Sequence, residues 1–276
     1  MQSKIPSHWQ IWETPPAEKA PPRVSGVLWQ FKKYPSELIT EIVKLYHSLD
    51  DPNDYNWHGL KHVNNTLAIA EKLFIAMGNN VDRDMKKAVY IALTLHDVGK
   101  VYGKENHHQT GQNLVAERYI HDVQLPQEYK DMIVEAVGNH MFTDNQNIVS
   151  AIVNFCDTLD SCTTQRMTPK GREKWQQITD VNFNFSENGV FTVEQSCSDD
   201  WNVDNYRNAT FGKNAPRIAD ATGATIRNLA DILGYQAEWI QDGQSMNDLL
   251  ISDTQGEFEK LYQPVGVGVD DVKEKT

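Results

Sequence analysis

The stretch DMKKAVYIALTLHDVG, residues 84–99, decides the fold. Its first half is amphipathic, with Lys86 and Lys87 marking a polar face, while Ala88 to Leu95 is apolar on nearly every side. A helix without a polar face belongs at the centre of a helical domain. It ends in the pair His96-Asp97, and Gly99 stands where a C-terminal stop is expected, which puts the pair in the last turn, where side chains from several helices can converge.

Outward from this helix the same pattern repeats. SELITEIVKLYHSL, starting at the N-cap candidate Ser36, places Leu38, Ile42, Leu45 and Leu49 at helical spacing. After the turn Asp50-Asp51-Pro52-Asn53, WHGLKHVNNTLAIAEKLFIAMG puts His58, His62, Leu67, Ala70 and Phe74 near one stripe, the two histidines one helical turn apart, before Gly78 closes it. GQNLVAERYI (111–120), EYKDMIVEAVGNH (128–140) and IVSAIVNFCDTLDSC (148–162) continue the helical series. The chain is therefore expected to be mainly α, with an all-helical core over 36–168.

On either side of that core the composition changes. Residues 1–35 form a Pro-rich arm: five of the eleven prolines fall in the first 27 positions, and Trp9 and Trp12 suggest an arm laid on a surface. Beyond Pro169, in an extension expected over 169–276, VNFNF and VFTVEQS alternate as strands do around Ser186-Glu187-Asn188-Gly189, which predicts a β-hairpin. NAPRIADATGATIRNLADILG (214–234) returns to helical spacing, and the end VGVGVDDVKEKT is expected to fray.

A net charge of -12, from 38 acidic and 26 basic residues, opposes nucleic-acid and anionic-membrane binding, and there is no cluster of four Lys or Arg. A small phosphate ester remains compatible, because bound metal ions reverse the local field. No long apolar run and no basic-then-apolar leader is present, so the expected location is cytoplasmic. Three cysteines without CxxC spacing, Cys156, Cys162 and Cys197, predict neither a disulfide framework nor a thiolate zinc site.

His62, His96, Asp97, His107, His140 and Asp157 are candidate metal ligands. Imidazole and carboxylate together favour Fe, Mn, Zn or Ni, and six such side chains suffice for two ions. In this order the sequence resembles the HD-domain superfamily of metal-dependent phosphohydrolases: HDVGK (96–100) is similar to the central motif, His107 begins H-x-x-x-G, His140 closes IVEAVGNH, and Asp157 lies in IVNFCDTLD. The resemblance covers residues 36–168 and implies an HD-type helical bundle. It further implies that His62, His96, Asp97 and Asp157 hold one ion, while Asp97 bridges to a second held by His107 and His140. His108 competes with His107 for that place and is otherwise a candidate substrate contact.

YNWHGLKH (55–62) also resembles the opening of cyclic nucleotide phosphodiesterases, which implies His58 as a general acid for the leaving group. Lys100, from the HD-x-x-K pattern, and Arg166 are candidate phosphate contacts. The implied cofactor is a pair of divalent transition-metal ions, Fe or Mn foremost, with Zn, Ni or Mg as alternatives. The implied reaction is attack of a metal-bound hydroxide on a small phosphate ester, a nucleotide or cyclic nucleotide. The bland readings are that His58 packs on Tyr55 or Trp57, that Lys100 is a cation placed favourably at a helix C-terminus, and that Asp160 is solvated unless it orients a ligand from one turn after Asp157. The same six-ligand order resembles mixed-valent diiron oxygenases such as myo-inositol oxygenase, and a non-catalytic regulatory or binding protein is the third reading. The paired histidines of many two-metal relatives are replaced by His140-Met141, and the GYP signature of cyclic-dinucleotide hydrolases is absent. The extension is expected to cover the site, set specificity or form a homodimer.

Overall fold

The computed structural model describes residues 35–251 apart from 52, 55, 79–80, 104, 165, 175–177, 200 and 211–216. The expectations for the Pro-rich arm, for Tyr55 and for the C-terminal VGVGVDDVKEKT lie outside the described residues. Helix α1 (Pro35–His47) opens on proline, whose fixed φ suits a first helical position. Helix α2 (Leu60–Met77) starts later than the sequence suggested: Gly59 precedes it and donates its N–H to Asp50 Oδ1 at 3.0 Å, so His58 lies ahead of the helix and not on a shared stripe with His62. A side chain at Gly59 would collide with the Asp50 carboxylate, and a residue with a Cβ there would displace this helix start.

Helix α3 (Arg83–Leu95) is capped by Asp82, whose carboxylate accepts from the N–H of Met85 at 2.8 Å. Its second half is buried from Ala88 to Leu95 apart from Tyr90, against α2 and the two later helices α5 (Gln127–Asn139) and α6 (Ile148–Asp160). Ile91, Leu93 and Leu95 are fully inaccessible, and each contributes about 1.5–3 kcal/mol of apolar burial. The Tyr46 hydroxyl donates to the Thr94 carbonyl at 2.8 Å, tying α1 to a carbonyl at the end of α3 that has no helical partner.

Gly99 is not a helix stop. It sits inside a 3₁₀ turn, Val98–Tyr102, that follows His96 and Asp97 directly. A Cβ on it would lie 2.0 Å from the carbonyl oxygen of His107 and 2.6 Å from the N–H nitrogen of Gly111. Glycine is required here by the close approach of α4 (His107–Leu114), which enters from left-handed Asn106 (φ 52°) and runs on through one wider π turn to Tyr119.

After the short helix α7 (Pro169–Lys174), the hairpin forms from β1 (Ile178–Phe185) and β2 (Val190–Cys197), turning at Gly189 with φ 78°. The sequence reading missed the next part of this sheet. Following α8 (Val203–Asn208) and α9 (Ile218–Leu233), β3 (Gln236–Gln241) pairs parallel to β2 and then antiparallel to the two-residue β4 (Gln244–Ser245), in the order β1-β2-β3-β4. The β3–β4 turn is Asp242-Gly243, both at positive φ, an Asp-Gly signal visible in the sequence. A last short helix, α10 (Asp248–Ile251), packs on α9. Phe155 of α6 meets Phe183 and Phe191 of the sheet, and α9 packs along α6, so one continuous apolar core runs from Ile42 to Leu250. Among the described residues no helix is long and apolar enough to cross a membrane.

Candidate metal centre

Every candidate ligand sits at or near a helix end. His62 is in the first turn of α2, His96 follows α3 with Asp97 next, His107 opens α4, His140 follows α5, and Asp157 lies in the last turn of α6. The core that buries these helices brings all six together as two triads, His62–His96–Asp157 and Asp97–His107–His140.

Asp97 stands between them. Its Oδ2 is 3.7 Å from His62 Nε2 and 3.6 Å from His96 Nε2, while its Oδ1 is 3.7 Å from His107 Nε2 and 3.5 Å from His140 Nε2. The first triad closes with His62 Nε2 at 2.9 Å from His96 Nε2 and 3.2 Å from Asp157 Oδ1. The second closes with His107 Nε2 and His140 Nε2 at 3.1 Å. All are buried except Asp157, whose side chain is 21% exposed and gives the first triad a route to solvent.

The far sides of the rings fix the direction of their lone pairs. His62 Nδ1 donates to Asp160 Oδ2 at 2.6 Å, His96 Nδ1 to the Leu93 carbonyl at 2.8 Å, and His140 Nδ1 to the Val137 carbonyl at 2.8 Å. With the proton on Nδ1, each Nε2 turns its electron pair towards the centre, that of His62 lying 2.8 Å from Arg166 Nη1. Asp97 Oδ1, fully buried, has no hydrogen-bond partner. Nitrogen electron pairs converging on an unpartnered carboxylate oxygen are a donor set that fits divalent transition-metal ions, and the residues present therefore suit such a cofactor.

For His96, Asp97 and Asp157 the electrostatics agree, while His62 is pulled the other way. Burial pushes His96 down to about 3, so it is neutral, as a ligand must be. Burial alone would raise Asp97 and Asp157. The Lys100 ammonium holds Asp97 well below the carboxylate range, and the approach of His62 together with the Arg166 guanidinium does the same for Asp157. For His62, burial and Arg166 press downward but the bonds to Asp157 and Asp160 outweigh them, and its pKa is raised.

Three further predicted residues form one cluster beside Asp97. Lys100 Nζ donates to Asp97 Oδ2 at 2.7 Å and to His58 Nδ1 at 3.0 Å, and Arg166 Nη2 approaches the same His58 nitrogen at 3.2 Å. The Trp57 N–H bonds the Arg166 carbonyl at 2.7 Å, which sets the segments bearing His58 and Arg166 side by side. Burial, then the Lys100 charge, lower His58 to about 3. Its ring accepts from two cations at Nδ1, and the notion that it merely packs on Trp57 does not describe it. Arg166 is buried, with Nη1 3.3 Å from both Asp157 Oδ1 and Asp160 Oδ2 and 2.8 Å from His62 Nε2. Lys100 is more than a cation at a helix end, since its ammonium is committed to the carboxylate between the triads.

His107, not His108, shares the second triad. The His108 ring stands edge-on to both His107 and Phe142, with Nδ1 buried and unpartnered. Asp160 is fully buried and orients His62, the alternative to a solvated residue: besides His62 it accepts from Thr163 Oγ1 at 2.6 Å, from Asn65 Nδ2 and from Arg166. Sequence reasoning passed over Asn65 and Thr163, although Asn65 lies one turn after His62 and Asp160 one turn after Asp157, spacings that share a helix face.

Fold and site together define a helical domain whose shared His-Asp pair joins two triads that could hold metal ions. A family model of the HD domain matches residues 59–162, from Gly59 before α2 to Cys162 just after α6. This stretch matches the HD domain over 104 of the 276 residues of the chain. No curated protein gives a significant match to the chain.

Proposed function

We propose that the protein is a phosphohydrolase that cleaves a small phosphate ester, of the nucleotide or cyclic nucleotide class, using two divalent transition-metal ions of which Fe or Mn are the foremost candidates. The observation that carries this reading is the sharing of Asp97: one oxygen faces His62 and His96, the other His107 and His140, and Lys100 leans on the same carboxylate from the side where His58 and Arg166 meet.

When bound, the ions supply Lewis acidity at a phosphoryl oxygen and make water nucleophilic near neutral pH. His62, His96 and Asp157 would hold one, His107 and His140 the other, and Asp97 both. Lys100 and Arg166 bring positive charge to the edge of this centre, where a phosphate group carries its non-bridging oxygens. His58 enters with a different part from the general acid the sequence suggested. A ring lowered to about 3 is neutral at physiological pH, so it has no imidazolium proton to give. Its Nδ1 accepts from the Lys100 ammonium and holds that group in place, and Lys100 carries the proton available to a departing alkoxide.

The test is metal analysis of protein purified without added metal, followed by a screen of phosphate mono- and diesters with and without air. Two equivalents of transition metal and oxygen-independent release of phosphate or opening of a cyclic ester are expected. Oxygen consumption coupled to turnover, with no hydrolysis, would replace this reading by that of a diiron oxygenase.

A further inference from the structure

The C-terminal part of the chain reaches the metal centre through buried hydrogen bonds. His140 has its ring fixed through Nδ1 to the Val137 carbonyl, but its own carbonyl comes at the end of α5, where helix carbonyls lack helical partners. Asn154 of α6 donates Nδ2 to that carbonyl at 2.6 Å. The amide oxygen of Asn154 in turn accepts from the Thr225 hydroxyl of α9. Thr225 is 1% exposed, Asn154 3% and His140 1%, so water does not replace any link. A second grip lies one turn along the same helix: Asn228 donates to the Asn145 carbonyl at 3.1 Å, and Asn145 donates back to the Phe142 carbonyl at 2.5 Å. Helix α9, outside the matched HD stretch, thus holds both ends of the segment 140–145 that follows α5.

We propose that Thr225 and Asn154 are positioning residues for His140, which makes α9 a working part of the second metal site. The inference rests on the metal-centre reading above. A hydrogen-bond chain in a dry interior is stiff, and either orientation of the Asn154 amide other than the one set by Thr225 would leave a buried donor or acceptor without a partner. Loss of the Thr225 hydroxyl frees the Asn154 amide to turn, releases the His140 carbonyl and lets the ring move off the position shared with His107.

The test uses the full-length, metal-free chain titrated with Mn2+, with Thr225→Val, which preserves shape, and Thr225→Ser, which preserves the hydroxyl. In Thr225→Val the first Mn2+ should bind as in the unaltered protein and the second about 10- to 100-fold more weakly, the usual effect of removing a partner behind a ligand. Thr225→Ser should keep the second ion. Equal weakening of both ions together with a lower melting temperature would reduce Thr225 to a structural residue and overturn the proposal, as would two ions bound with undiminished affinity in Thr225→Val. If that variant does not fold, Asn154→Ser decides by the same criterion. Should the unaltered protein bind fewer than two ions, the metal-centre reading fails first and this inference with it.

Discussion

Replacing Asp160 by Asn should weaken the first metal site while leaving the fold in place. Asp160 Oδ2 accepts the Nδ1 proton of His62, and Oδ1 accepts from Thr163 Oγ1 and Asn65 Nδ2. Asparagine has the same shape but one oxygen. Turning its NH₂ towards Asn65 would set two donors against each other, so the amide oxygen stays on that side and the NH₂ faces His62. A donor now meets Nδ1, and the ring proton is driven to Nε2, the nitrogen 3.2 Å from Asp157 Oδ1 and 3.7 Å from Asp97 Oδ2. A protonated Nε2 has no pair to offer a metal. The expected loss is about 10- to 100-fold in affinity at that site, roughly 1.4–2.7 kcal/mol. The stability cost of the metal-free protein should be about 1.5–3 kcal/mol, because Arg166 loses one of its two carboxylates, each 3.3 Å from Nη1, and keeps the other. Equilibrium dialysis with Mn2+ reads the first quantity and thermal melting the second. An Asp160→Asn protein that binds two ions with unaltered affinity would refute the tautomer argument.

Other substitutions separate the remaining roles. Asp97→Ala should abolish metal binding and hydrolysis while the helical circular dichroism spectrum persists, and retention of stoichiometric metal would show that the carboxylate is not shared. Lys100→Ala should slow hydrolysis by about 100-fold or more, His58→Ala by less, and the double variant no further than Lys100→Ala alone, since His58 acts through the ammonium it holds; additive losses in kcat would mean two separate functions. Asp82→Ala should lower stability by about 1 kcal/mol through loss of the α3 cap. The Asp82 carboxyl is held low by the Met85 N–H, so its contribution is complete above the ordinary carboxylate pKa and fades as pH falls through the lowered folded value. Melting curves of the two proteins should therefore converge in acid, and a gap that stays constant below that range would contradict the assignment.

The helical half was legible because its signals are local. The all-apolar second half of α3, the order of His and Asp residues, and the Asn-Gly hairpin each depend on neighbours in sequence. What escaped depends on approach between distant parts. Gly99 reads as a stop until the His107 carbonyl is found against its Cα. His58 reads as a helical residue because the Asp50 carboxylate that sets the helix start is nine positions away. Asp160 reads as solvated because its three partners besides His62 come from Asn65, Thr163 and Arg166, brought there by packing. The strand β3 was missed despite its Asp-Gly turn because its partner β2 lies some forty residues earlier and pairs in parallel, which no hairpin pattern announces.

The placement of the ligands at helix ends explains why the rest of the chain is bound so closely to this centre. A side chain in the middle of a helix is positioned by the turns on both sides, whereas His96, His107 and His140 each stand where a helix begins or ends and the backbone is free to fray. Holding four imidazoles and two carboxylates to a few tenths of an ångström then requires bonds from outside those helices. Tyr46 supplies one at the Thr94 carbonyl, Gly99 admits α4 to the distance that brings in His107, Asp160 orients His62, and Asn154 holds the His140 carbonyl under the control of Thr225. Of these supports the first, from Tyr46 of α1, and the last, from Thr225 of α9, originate outside the matched HD stretch. The Phe155–Phe183–Phe191 contact and the packing of α9 on α6 keep that support in register with Asp157, so the strands and helix after residue 169 stabilise the same six side chains that the sequence assigns to the first 168.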